Sequence, residues 1–88
     1  MIIVLQENGN KIKSSKLVIY KHDENSVDYV AEVISAALGY DATQAYSCAL
    51  ITQTAGQYII KKYKSSERGQ AEEILELITS QNVPAKLL

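Results

Sequence analysis

The stretch KLVIYKHDENSVDYVAEVISAALGY, Lys16 to Tyr40, decides the fold. Lys16 to Lys21 is a strand by composition, with β-branched and aromatic residues between polar ends. His22-Asp23-Glu24-Asn25-Ser26 is a polar break, and Asn25 or Ser26 can cap the element that follows. From there the apolar residues fall at Val27, Val30, Ala31, Ile34, Ala37 and Leu38. That is helical spacing, so Val27 to Leu38 is an amphipathic helix. Gly39 stands just past its end, where a left-handed residue is wanted.

Working outward, Asp41 opens a second helix, and Gln44 three residues on resembles the far half of a capping box. Ala42, Ala45, Tyr46, Ala49 and Leu50 are its expected apolar face, and Gly56 ends it. Gln57 to Tyr63 is a second strand whose Tyr58, Ile59 and Ile60 put apolar groups on both faces. Ser65-Ser66 offers a cap for a third helix. Its expected core face is Ala71, Ile74, Leu75 and Ile78, and its solvated face is Glu72, Glu73 and Glu76. Gly69 in its first turn costs roughly 1 kcal/mol against Ala. Pro84 follows the helix end, and Ala85 to Leu88 suits a short edge strand. The expected order is β-α-α-β-α-β, an α+β sandwich of three antiparallel strands packed on three helices. Ahead of this core, residues 1–15 contain Met1 to Leu5, which reads as an extra strand, and Asn8-Gly9, a hairpin-turn signal. Residues 16–88 form the core proper.

Composition narrows the function. At 88 residues the chain is one domain, burying about 60–65% of the surface its unfolded form exposes. Nine Lys+Arg against ten Asp+Glu leave a net charge of −1, which argues against charge-driven binding to nucleic acid. No apolar run approaches the roughly 18 residues of a membrane span, and Met1 to Leu5 lacks the basic start of a signal peptide. Cys48 is the only cysteine, which excludes an internal disulfide and suits a reduced, cytoplasmic setting. On a helix with apolar neighbours it reads as a small buried hydrophobe. His22 is the only histidine. A two-histidine metal site is impossible and no nucleophile has an obvious base, so no catalytic residue, metal or cofactor is expected. The six tyrosines are spread over strands and helices, as core packing would have them.

The strand Leu17-Val18-Ile19-Tyr20, the acidic break His22-Asp23-Glu24 and the helix start Val27-Asp28-Tyr29-Val30 stand in order. They precede a second helix with Gln44-Ala45-Tyr46-Ser47-Cys48-Ala49-Leu50, closed by Gly56. This pattern, over Lys16 to Leu88, resembles the ClpS family of Clp protease adaptors. The resemblance implies the same β-α-α-β-α-β sandwich, shared with the C-terminal domain of the ribosomal stalk protein. It implies an adaptor, active as a monomer, that docks on the N-terminal domain of a ClpA- or ClpC-type unfoldase. It also implies capture of the N-terminal residue of a substrate, the N-degron. A large apolar first side chain enters a pocket, and its α-ammonium, mostly charged at neutral pH, needs acceptors at the mouth.

Carried over residue by residue, His22 stands where the family has Asn, Asp23 matches the first Asp, and Glu24 replaces the second. A shift of one residue would put Lys21, His22 and Asp23 in those places instead. Gln53 stands three residues before Gly56, where the family has its His, and its amide oxygen can accept a hydrogen bond. Val27, Val30, Ala49 and Thr52 fall at or near pocket-lining positions, and Pro84-Ala85 where a Pro-Leu closes the pocket. Beside these stand plainer readings: a solvated turn capping a helix for His22-Asp23-Glu24, and a helix-end polar residue for Gln53. A fold that docks an unfoldase without binding a degron, or a stalk-like interaction module, are the alternatives.

Overall fold

A computed structural model describes residues 14–88. The element order is β1 (Ser15–Tyr20), α1 (Val27–Leu38), α2 (Ala42–Ala55), β2 (Gln57–Tyr63), a short 3-10 turn (Ser65–Glu67), α3 (Arg68–Ser80) and β3 (Ala85–Leu87). This is the expected α+β sandwich. One sheet of order β2-β1-β3 has both neighbours antiparallel to β1, and the helices pack on one of its faces. The extra strand and Asn8-Gly9 turn expected in the N-terminal segment lie outside the described residues.

The caps explain where helices begin and end. Ser26 takes the role at α1, its hydroxyl accepting from the Tyr29 N–H at 3.0 Å. Asp41 does the same for α2, accepting from the Gln44 N–H at 2.7 Å. Gly39 and Gly56 close α1 and α2 at φ of 74° and 91°, a region an L side chain adopts only under strain. The third helix starts differently from the sequence expectation. Ser65 and Ser66 are spent in the 3-10 turn, and Glu67 reaches back to accept from the Lys64 N–H at 2.8 Å. Only then does α3 begin, at Arg68.

Strand β1 is central, and its alternation sets the two faces of the sheet. Leu17 and Ile19 point into the core, in register with Leu87 and Ala85 on β3. A bulge lies in β2, where the pairing jumps from Leu17–Lys61 to Val18–Ile59 and leaves Ile60 without an opposite residue. The Ile60 carbonyl accepts instead from the Tyr40 hydroxyl at 2.7 Å, which ties the α1–α2 loop to the sheet. The bulge lets Ile60 and Tyr63 both reach the core, while Ile59 turns outward.

The core joins Leu17, Ile19, Val33, Ile34, Ala71, Ile78 and Val83, and Tyr63 is its largest fully buried side chain. Val33 was not among the apolar positions of the sequence reading for α1. The expected face of α2 is corrected more substantially. Tyr46 and Leu50 are 46% and 45% exposed, and Ala42 faces solvent. The buried face is Ala45, Cys48, Ala49 and Thr52. Apolar residues surround this helix on all sides, so periodicity does not choose between faces. The choice falls on the small residues because α2 approaches its neighbours closely, and a Tyr or Leu there would overfill the interior. Burial pushes the Cys48 thiol pKa up, as suits a packed hydrophobe rather than a nucleophile.

Candidate functional site

Two connections meet at one end of the sheet and enclose a groove. The β1–α1 turn begins with the His22 carbonyl accepting from the Asn25 N–H at 2.9 Å. His22 Nδ1 accepts from the Glu24 N–H at 3.2 Å, which holds the imidazole against its own turn. The α3–β3 connection passes through Asn82, whose φ of 66° is left-handed. Asn tolerates that conformation better than any residue but Gly. The chain then turns through Pro84 into β3, whose Pro84 carbonyl accepts from the Tyr20 N–H at 2.9 Å.

Two hydrogen bonds staple these connections together. Asn25 Nδ2 donates to the Asn82 carbonyl at 3.0 Å, and the Tyr29 hydroxyl donates to the Gln81 carbonyl at 2.6 Å. Between the two turns lies an open groove of about 730 Å³. Val83, Pro84, Ala85 and Tyr20 supply apolar wall, and the rim carries the Glu24 carboxylate and the His22 ring, whose Nδ1 is taken by the Glu24 N–H. Loss of the Tyr29 staple should be felt globally. Tyr29→Phe is expected to cost about 1 kcal/mol in urea denaturation, the usual worth of one hydrogen bond. A Tyr29→Phe midpoint equal to the unmodified protein's would mean the bond contributes nothing.

The structure brings together some of the residues singled out in the sequence and separates others. His22, Glu24 and Ala85 share the groove. Asp23 is exposed in the same turn without lining it, and Gln53 is exposed near the end of α2, away from the groove lining. Val27 is half-buried against the core. Val30, Ala49 and Thr52 are at most 8% exposed and face the interior. The Thr52 hydroxyl donates to the Cys48 carbonyl at 2.8 Å, so its polar group is satisfied within the helix. These residues therefore form packed interior rather than the wall of an open side-chain pocket.

Residues to which the sequence reading gave no site role complete the groove, among them Tyr20, Asn25, Tyr29, Thr79, Asn82 and Lys86. Asn82 was legible in principle, since Asn two residues before Pro after a helix is a common left-handed ending. The Tyr29 hydroxyl carries no sequence signal, because its partner is a backbone carbonyl 52 positions away. A smaller cleft of about 290 Å³ continues behind Tyr29 between α1 and α3, lined by Val33, Ala37 and Leu77. Among the described residues no helix is long and apolar enough to cross a membrane. No protein-family model matches this chain, and no curated protein matches it.

Proposed function

We propose that the domain is a non-catalytic adaptor, similar in action to the ClpS family, that holds the N-terminal segment of a client polypeptide and docks on a Clp-type unfoldase N-terminal domain. The observation that carries this reading is the groove between the β1–α1 and α3–β3 turns. It pairs an apolar wall at Val83, Pro84 and Ala85 with the Glu24 carboxylate at the rim. An apolar first side chain would lie against the wall, and its α-ammonium would reach the Glu24 carboxylate. A neutral His22 would add an acceptor if its Nδ1 gave up the Glu24 N–H, whereas a protonated imidazole would repel the ammonium. The setting is the reduced cytoplasm, where Cys48 stays a thiol.

A titration with peptides beginning Leu, Phe or Tyr tests this. Free N-termini should bind, acetylated ones should bind at least about tenfold more weakly, and Glu24→Gln should lose most of the difference. Equal affinity for free and acetylated peptides would sink the capture step. A second reading draws on the burial of Val30, Ala49 and Thr52 and on the exposed Gln53, which is not among the lining residues. In that version the domain docks the unfoldase but takes no degron. Binding to a ClpA- or ClpC-type N-domain with no peptide binding selects it.

A further inference from the structure

The net charge of −1 conceals a division of charge between the two layers. No residue of the three strands is acidic. Every carboxylate side chain among the described residues sits on a helix, in the 3-10 turn or in a loop ahead of a helix. The sheet face turned away from the helices is, in register, a small grid. Lys62, Lys16 and Leu88 form one row, and Ile59, Val18 and Lys86 the next; Val18, in the middle, is only 1% exposed, so the accessible aliphatic groups are Ile59 and Leu88 on the flanking strands. Gln57, Tyr20 and Pro84 form the third. Lys16, Lys62 and Lys86 are exposed, and so are Ile59 at 39% and Leu88 at 62%. Lys16 and Lys62 stand directly opposite each other, a like-charge pair that costs stability and has no acidic strand neighbour to offset it. Packing does not call for that arrangement. Tyr20 and Lys86 also line the groove, so the groove and this face are one continuous surface.

We propose that the outer sheet face, Lys16, Lys62 and Lys86 around Ile59 and Leu88, is a docking surface for an acidic, apolar-containing segment of a client protein, the segment that follows the N-terminus held in the groove. The proposal rests on the adaptor reading for the N-terminus only, and the face stands on its own charge and composition. Carboxylates would meet the lysines while aliphatic side chains cover Ile59 and Leu88. The exposed Ile59 and Leu88 on the flanking strands favour a polypeptide over a nucleic acid. A nucleic acid would find one aromatic, Tyr20, to stack on, and lysines that offer point charges rather than bidentate forks.

The test uses the full chain and synthetic peptides dyed at the C-terminus, read by fluorescence anisotropy. One peptide has Leu at a free N-terminus followed by alternating Glu and Ala. Its partners carry Gln for Glu, or an acetylated N-terminus, and oligo(dT) of matching charge is the third probe. The Glu peptide should bind about tenfold more tightly than the Gln peptide, and the gap should close as salt rises from about 50 to 500 mM. Lys16→Glu with Lys62→Glu should reverse the preference toward a Lys-containing peptide. Lys86→Glu alone should weaken it, which keeps the test alive if the double variant does not fold. Equal affinity for Glu and Gln peptides overturns the proposal even where a free N-terminus still matters. An acetylated Glu peptide that binds as well as the free one supports this face and overturns groove capture instead. Tighter binding of oligo(dT) than of the Glu peptide overturns it in favour of nucleic acid. A salt-sensitive rise in mass in sedimentation equilibrium of the protein alone overturns it in favour of the acidic helices of a second copy.

Discussion

Ile34→Ala is expected to lower the free energy of unfolding by about 3 kcal/mol, within the 2–5 typical of such truncations. Ile34 is fully buried, in one core with Leu17 and Ile19 of the central strand. Removing three carbons there loses transfer energy and leaves a cavity that rigid neighbours on the sheet cannot fill. A domain of this size commonly has only about 4–11 kcal/mol of stability, so the variant loses a large part of it. Ile34→Val should cost only about 1 kcal/mol. Leu50→Ala is the informative control. The sequence reading puts Leu50 on the core face of α2, yet it is 45% exposed, and its truncation should cost under about 1 kcal/mol. Midpoints in urea at constant slope would measure all three. A Leu50 cost equal to that of Ile34 would mean that α2 packs by its other face.

Tyr63 should respond in opposite directions to two substitutions. Its ring is the largest fully buried group, and Tyr63→Ala is expected to cost about 3–5 kcal/mol. Its hydroxyl is buried without a hydrogen-bond partner among the described residues, so Tyr63→Phe should gain about 1 kcal/mol by removing a desolvated polar group while keeping the ring. Loss of stability in the Phe variant would show that the hydroxyl is satisfied. The same residue predicts alkaline behaviour. Burial raises the pKa of Tyr63, helped by nearby Tyr40 and Glu67. Burial also raises Tyr40, with Cys48 and Tyr58 adding to it, and it raises Cys48. The unfolded chain therefore ionises these groups first. Stability is intact below the ordinary thiol and phenol values of about 8.5 and 10, and falls as pH climbs through them toward the raised native values. Tyr63→Phe should make that fall shallower, measurable by thermal melts across alkaline pH.

Much of the architecture follows from local chemistry. Ser26, Asp41, Gly39 and Gly56 place helix ends through hydrogen bonds and left-handed backbone that involve only near neighbours. Such signals survive in a linear reading because they do not depend on the rest of the fold. The bounds of β2 and the edge position of Ala85–Leu87 followed similarly from composition and Pro84, while β1 begins and ends one residue earlier than the expected Lys16 to Lys21. The start of α3 did not: Ser65 and Ser66 lie within the 3-10 turn, no side chain caps α3, and the Glu67 carboxylate accepts from the Lys64 N–H ahead of the turn.

What the sequence determined alone was the order of elements, the caps of α1 and α2 and the helical layer on one side of a sheet. Tertiary structure decided which side of α2 is buried, because an evenly apolar helix lets the neighbour's shape choose, and a close neighbour chooses Ala, Cys and Thr. Tertiary structure also decided the site. The groove exists only where Asn25 and Tyr29 meet the Asn82 turn, contacts that span more than fifty residues. The lysine face exists only because antiparallel register lays Lys16, Lys62 and Lys86 on one surface. Charges far apart along a neutral-looking chain become a patch when pairing sets their spacing, and no count of residues contains that spacing.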